Sequence, residues 1–244
     1  MSTTAQKTGR AKIRPKDGLF LPYQSDWIKD NSRKKVAEKS RQIGWTWATA
    51  YRLVRQASMQ NAPFDFWVSS RDDIQARLFL EDCKAFAEIV QVASKDLGER
   101  IYEDEKGRPF TSYVLEFASG KRINSMSSNP DAQAGKRGAR VLDEFALHPD
   151  PRKLYAIAYP GITWGGSIEI FSTHRGSHNF FNREIIEDAR GKNKKGFSLH
   201  RVTLQDALDQ GFLYKLQEKL LRGGIEDPRI EMDEPEYFDD VRRG

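Results

Sequence analysis

The stretch of this chain best suited to chemistry is Lys39-Ser40-Arg41-Gln42-Ile43-Gly44-Trp45-Thr46. It follows a short segment around Val36 that reads as a strand. It precedes a strong helical pattern, with Trp47, Ala48, Tyr51, Val54 and Arg55 at helical spacing. A loop in that place turns backbone N–H groups and a helix N-terminus toward an anion. The standard phosphate-loop pattern is Gly, four residues, then Gly-Lys-Ser/Thr. Gly44 and Thr46 match its second half, but Lys39 stands where the first Gly is expected and Trp45 where the Lys is expected. The chemistry needs a positive charge near the β and γ phosphates, not a lysine at one fixed index. Lys39 is therefore the first candidate for that charge and Arg41 the second, while the Thr46 hydroxyl suits Mg²⁺. The alternative is an ordinary strand–turn–helix in which Gly44 is only a turn residue.

A second constellation lies far downstream. Val141-Leu142-Asp143-Glu144 is an apolar strand ending in two acids. Behind a phosphate loop, an Asp in this place holds Mg²⁺ through water and a following Glu polarises the attacking water. A solvated strand end is the plain alternative. Gln24 is suited to the adenine edge, and Tyr23 or Trp27 to stacking on the ring; Trp27 reads better as core. Ser172 and Thr173 either sense the γ-phosphate or cap a turn. His148, His174, His178 and His200 lack metal-ligand spacing, which leaves them surface or loop roles. Cys83, near Phe79, Phe86 and Ala87, reads as a small buried hydrophobe.

The elements that must position these groups alternate. Helices are expected over 19–31, 44–60, 72–94, 179–190 and 213–221, and strands over 34–38, 64–69, 139–143, 167–172 and 197–203. Ser119-Gly120 joins a hairpin of 113–117 and 121–125. The run 98–109 reads as a charged, turn-rich excursion, 127–138 as a polar loop, and 191–195 as a basic loop. Such alternation implies an α/β fold with a mainly parallel sheet between helices, and ligands then bind beyond the carboxyl ends of the strands. The 244 residues suffice for one large α/β domain, or one domain with a small appendage. One cysteine excludes a disulfide framework and a Cys-rich zinc site, and fits a reducing, intracellular compartment. No apolar run approaches the length of a membrane span. Residues 1–55 carry 13 Lys+Arg against 4 Asp+Glu, and the tail 226–240 is acidic. A basic balance suits a polyanion such as DNA or nucleotide phosphate, although a solvated charged surface reads the same way.

In combination these residues resemble a family. The loop 39–44 with Asp143-Glu144 looks like the large terminase subunit of tailed phages, particularly the Mu-like type. Pro22-Tyr23-Gln24 resembles the family's adenine-recognition motif. Ser172-Thr173-His174-Arg175-Gly176 resembles its coupling motif, and Gly135-Lys136-Arg137-Gly138 a segment that carries an arginine finger in some terminases. The resemblance covers roughly residues 19–225. It implies a P-loop NTPase fold of the additional-strand (ASCE) type with a small lid subdomain. The implied division is a flexible basic arm over 1–17, an ATPase core over 18–177, a lid and return to the core over 178–225, and an acidic linker over 226–244 toward an absent nuclease domain. It implies an ATPase motor coupling hydrolysis to translocation of double-stranded DNA into a procapsid, in the host cytoplasm, with no nuclease activity from this chain alone. ATP and Mg²⁺ are the implied cofactors. The portal protein, the small terminase subunit and further copies in a ring on the portal are the implied partners, with a monomer in isolation. The nucleotide-binding set would be Pro22, Tyr23, Gln24 and 39–46, with Ile43, Gly44 and Gln42 in the loop. Thr46 and Asp143 would serve the metal, and Ser172 and Thr173 coupling. Glu144, Lys39, Arg41 and Arg137 would be catalytic. The rival readings are a helicase-like DNA-dependent ATPase, and a non-catalytic binding module with a degenerate nucleotide site, which Trp45 keeps open.

Overall fold

The computed structural model describes residues 18–92, 94–103 and 107–243; the arm expected over 1–17 lies outside them. Among the described residues, eight strands form one sheet in the order β3-β4-β5-β2-β6-β7-β1-β8. The strands are β1 (Lys34–Lys39), β2 (Phe66–Ser69), β3 (Ser94–Glu103), β4 (Pro109–Phe117), β5 (Arg122–Met126), β6 (Ala139–Asp143), β7 (Ile168–Ser172) and β8 (Ser198–Val202). From β5 to β8 every neighbouring pair is parallel, and β4 runs antiparallel to both β3 and β5.

Parallel strands inside a sheet are buried on both faces, and β6 and β7 are buried at every residue, the charged Arg140, Asp143 and Glu169 included. On one face α1 (Pro22–Lys29), α2 (Trp45–Ala57) and α3 (Asp73–Ile89) cover Ala37, Val68, Val141 and Phe171. On the other face α4 (Pro151–Ala158) and a π-helical turn, Phe181–Ile186, cover Val36, Leu142, Ile168 and Ile170. That turn runs on into α5 (Glu187–Arg190). The chain closes with α6 (Leu204–Asp209), α7 (Phe212–Arg222) and α8 (Glu234–Arg243).

Local signals explain several boundaries. Asp72 caps α3 by accepting from Gln75 N at 2.9 Å, and Asp150 caps α4 in the same way, with Pro151 at its first position. Thr203 and Asp206 form a reciprocal capping box that opens α6. Two expectations are corrected. The helix expected to reach Ser94 ends at Ile89, and Gln91 turns the chain with φ +55°. The excursion expected over 98–109 is largely strand, because β3 pairs with β4 through Glu103↔Pro109. The acidic segment that begins at 226 carries α8. β3 escaped notice because it is an edge strand with almost no buried residue; charged side chains there discourage pairing with other chains.

One buried ionic cluster braces the sheet below the site. Glu169 on β7 pairs with Arg52 on α2 and lies 3.4 Å from the Lys35 ammonium on β1. Lys35 also donates to the Trp27 carbonyl at 2.8 Å and sits 3.7 Å from that ring's centroid.

Candidate functional site

The carboxyl ends of β6, β7 and β1 are neighbours in the sheet, and the chemistry-bearing residues meet there. After Lys39 the chain leaves β1, and Ser40 N donates to Val202 O at 2.9 Å. Gln42 and Gly44 both take positive φ, +53° and +72°, which coils the loop before α2 begins at Trp45. A Cβ at Gly44 would lie 2.6 Å from Gln24 Nε2, so only glycine serves there. No side chain caps α2, which leaves the N–H groups of its first turn for an anion.

Trp45 does not occupy the place of a phosphate-binding lysine. Its side chain is buried, stacked on Tyr23 at 6.1 Å and packed on Trp27 at 5.2 Å. Tyr23 OH donates to Ile43 O at 2.7 Å, and Gln24 Nε2 donates to Ile43 O at 3.3 Å and Gly44 O at 3.0 Å. The Gln24 carbonyl accepts from Leu21 N at 2.9 Å. Tyr23 and Gln24 are both buried and back the loop from beneath. Pro22 opens α1 and is exposed, as are Arg41 and Gln42 at the loop crest.

The loop's buried cation is Lys39, whereas Arg41 is exposed. Its side chain is buried and its ammonium pairs with Glu144. Thr46 Oγ1 donates to Asp143 at 3.2 Å. The second Glu144 oxygen accepts from Thr173 N at 3.1 Å, Thr173 Oγ1 at 3.3 Å and Ser172 Oγ at 3.4 Å. Glu144 has φ +46°, a conformation that costs a non-glycine residue energy and that turns its carboxylate back toward Lys39 and Thr173. Burial pushes the Asp143 carboxyl up to about 7, and the neighbouring Glu144 charge adds to this. Burial acts on Glu144 in the same sense, but the Lys39 charge and hydrogen bonds from Lys39 and Thr173 outweigh it and hold its pKa below the usual range. Lys39, Thr46, Asp143, Glu144, Ser172 and Thr173 are therefore brought together. Arg137 is not among them. It is exposed on the loop before β6, at the far end of the strand whose other end carries Asp143.

Sequence reasoning missed two features. His148 is buried, with Nε2 3.0 Å from the Asp143 carbonyl. A cavity of about 200 Å³ beside the loop is lined by Lys39, Ser40, His174, Arg201, Thr203 and Leu204, among others. The cavity carries no spacing signal because distant segments assemble it, and the His148 contact is local but goes to a backbone carbonyl, which leaves no mark on residue types.

A loop between β1 and a helix, with an acidic pair at the end of the parallel strand β6 and one strand, β7, inserted between β1 and β6, is the arrangement of a P-loop NTPase of the additional-strand type. The family described as terminase large subunit, T4likevirus-type, N-terminal, matches residues 36–230, and the chain belongs to it. The chain is 38% identical over 213 residues to the probable terminase large subunit gp28 of Escherichia phage Mu, covering 85% of this chain and 38% of that protein. It is 34% identical over 203 residues to the Mu-like prophage FluMu protein gp28 of Haemophilus influenzae, covering 82% and 39%. It thus spans about two fifths of the length of these relatives. Among solved structures, the Thermus phage P74-26 large terminase ATPase domain superposes with a TM-score of 0.56 at 17% identity, over 85% of this chain and 92% of that one. The large terminase of a thermophilic bacteriophage, in complex with ATP-gamma-S, gives 0.56 at 16%, over 83% and 49%. The resemblance read from the motifs and the fold class are both borne out.

Proposed function

We propose that this chain hydrolyses ATP and that the hydrolysis drives double-stranded DNA into a procapsid. The observation that carries the reading is the meeting of Lys39, Thr46, Asp143, Glu144, Ser172 and Thr173 at three neighbouring strand ends. Membership of the terminase family supports the DNA-packaging half over a helicase-like role.

Lys39 carries the charge that the standard loop lysine would carry. Arriving phosphates compete with Glu144 for its ammonium, and Glu144 is then free to accept a proton from the attacking water. Ser172 and Thr173 bond the same carboxylate, so they register that exchange. Thr46 and Asp143 form a compact set of hard oxygen donors, and a buried carboxylate that resists ionisation gains from a divalent cation. These two residues would hold Mg²⁺, which when bound supplies charge to the phosphate oxygens. Arg41, exposed at the loop crest, remains within reach of its own site, whereas Arg137 would act only on a neighbouring copy's site.

The amino ends of the parallel strands offer a face for DNA. Arg33 donates to Gly166 O, Lys34 to Lys195 O, and Gly138 N to Gly161 O, which joins the loops before β1, β6, β7 and β8. Arg33, Lys34, Lys136, Arg137, Lys192, Lys194 and Lys195 lie on these loops, and Trp164 is exposed among them. Contacts of that kind go to the phosphate backbone, and their affinity falls with salt. Residues 178–225 we take as a lid that rejoins the core through β8. Portal protein, small terminase subunit and further copies in a ring are the expected partners, in the host cytoplasm. Among the described residues no helix is long and apolar enough to cross a membrane.

The test is Mg²⁺-dependent ATP hydrolysis with and without double-stranded DNA. Glu144→Gln should retain nucleotide and lose about 10²–10⁴ in turnover, the usual worth of a general base. Normal turnover by that variant would remove Glu144 from the mechanism. A parent protein that hydrolyses no ATP under either condition would overturn the reading.

A further inference from the structure

Glu38 immediately precedes Lys39 on β1, and its side chain emerges on the opposite face of the sheet. The carboxylate is buried, with 8% of its side chain exposed, yet two arginines and a histidine from three separate segments meet it. His174 Nε2, in the segment after β7, lies 2.9 Å from Oε1. Arg190, the last residue of α5, pairs with both oxygens. Arg201 on β8 lies 3.4 Å from Oε1. Burial alone would raise the Glu38 pKa, but His174 and Arg190 lower it, so it stays ionised.

The segment Ser172–His174 is therefore held from two sides. Glu144 holds Thr173 by its N–H and hydroxyl. Glu38 holds the next residue, His174. Beyond it, the Arg175 and Gly176 carbonyls accept from the amides of Asn179 and Asn182, at the entrance to the π-helical turn. The far end of the same helix is tied to β1 through Arg190 and Glu38. Cavities of about 270 and 200 Å³ flank His174, which leaves the segment room to shift. A displacement of Thr173 at the nucleotide site must therefore either break the His174–Glu38 contact or redistribute Glu38 among its three partners.

We propose that Glu38 is the positioning residue through which occupancy of the phosphate loop is passed to the helix Phe181–Arg190 and to β8. The inference rests on the ATPase reading. Glu38 touches no reacting group; it acts by what it holds.

The experiment is amide hydrogen exchange by mass spectrometry on the whole chain, with and without Mg²⁺ and a non-hydrolysable ATP analogue. In the parent, the analogue should slow exchange over 39–46 and alter it over 181–190. Glu38→Gln should keep the response at 39–46 and lose the one at 181–190. Basal exchange in that helix should rise about tenfold, as expected for loss of a charged hydrogen bond. Glu38→Asp, which keeps the charge, should restore part of the response. If Glu38→Gln does not fold, His174→Gln, which leaves the Arg190 pair intact, should lose the same response. A Glu38→Gln or His174→Gln helix that still responds to the analogue would overturn the proposal, because Glu38 would then be a brace only. A parent protected over 39–46 but unresponsive over 181–190 would overturn it while leaving the ATPase reading intact. No protection over 39–46 at saturating analogue would defeat both.

Discussion

Lys39 and Trp45 offer a paired test of where the loop's charge resides. A sequence pattern centred on position 45 predicts that Trp45 governs nucleotide binding. The structure predicts a double dissociation. Trp45 is 2% exposed and wedged among Tyr23, Trp27 and His200. Truncating a buried tryptophan costs about 3–5 kcal/mol, so Trp45→Ala should lose that much. At about 2–4 °C per kcal/mol for a domain of this size, the unfolding midpoint should fall by about 6–20 °C. Lys39→Ala should be milder in the melt, because Glu144 keeps Thr173 and Ser172 as donors and 26% of its side chain is exposed. Its defect should appear in affinity. Losing a charge-assisted bond to phosphate costs about 1.5–3 kcal/mol, which is about 10–100-fold in Kd. Calorimetric titration with an ATP analogue and Mg²⁺, run cool enough that Trp45→Ala is folded, separates the two effects. Unchanged affinity in Lys39→Ala would reject Lys39 as the phosphate ligand and move the assignment to Arg41. Abolished affinity in a folded Trp45→Ala protein would refute the separation itself.

Other outcomes follow from the same geometry. Lys35, buried against Trp27, has its pKa lowered to about 8, mainly by desolvation. Between pH 8 and the ordinary lysine value the unfolded chain binds a proton that the native state lacks, so this group makes stability rise with pH across that window. Thermal melts of Lys35→Met should lose that rise, and an identical pH dependence in parent and variant would contradict the assignment. Gln24→Ala, which frees the Gly44 carbonyl from its side-chain donor and leaves Ile43 O to Tyr23 OH, should raise Kd for the ATP analogue with kcat changed less; an effect on kcat alone would place Gln24 elsewhere. Arg137→Ala and Glu144→Gln proteins, each inactive alone, should regain partial ATPase activity when mixed under assembling conditions, because Arg137 lies too far along β6 from Asp143 to serve its own site. No recovery despite demonstrated co-assembly would count against a finger supplied by Arg137.

What the sequence made visible depended on how local the cause was. The loop 39–46 and the pair Asp143-Glu144 announce themselves because a phosphate loop needs a glycine turn, a hydroxyl and a nearby strand end, all local demands. The central strand β7 was readable because Ile168, Ile170 and Phe171 suit a strand, and β6 because Val141-Leu142 leads into the acidic pair. β3 was not, since an exposed edge imposes no periodicity on its residues. Tyr23 and Gln24 were legible as neighbours of the loop but not in their contacts. The sequence suits them to a base; the geometry also makes both the backing of the loop. Glu38 was invisible because its partner Arg190 is 152 residues away and no local rule links them.

The displaced lysine is best understood through the geometry of β1 itself. Successive residues of a strand point to opposite faces, so Glu38 and Lys39 look in different directions from one rigid element. Lys39 faces Glu144, and Glu38 faces His174 and Arg190. A lysine on the first turn of α2 would have answered to the helix; a lysine at the strand end sits beside the anchor of the segment that must sense it. With the loop's buried lysine at position 39, position 45 fills the space between α1 and the sheet with an aromatic ring. The cost is that loop and core become interdependent: Trp45 sets the start of α2, and Tyr23 and Gln24 fix the carbonyls just before it. Changes in α1 far from any phosphate should for that reason act on nucleotide affinity, through the shape of the loop and not through contact.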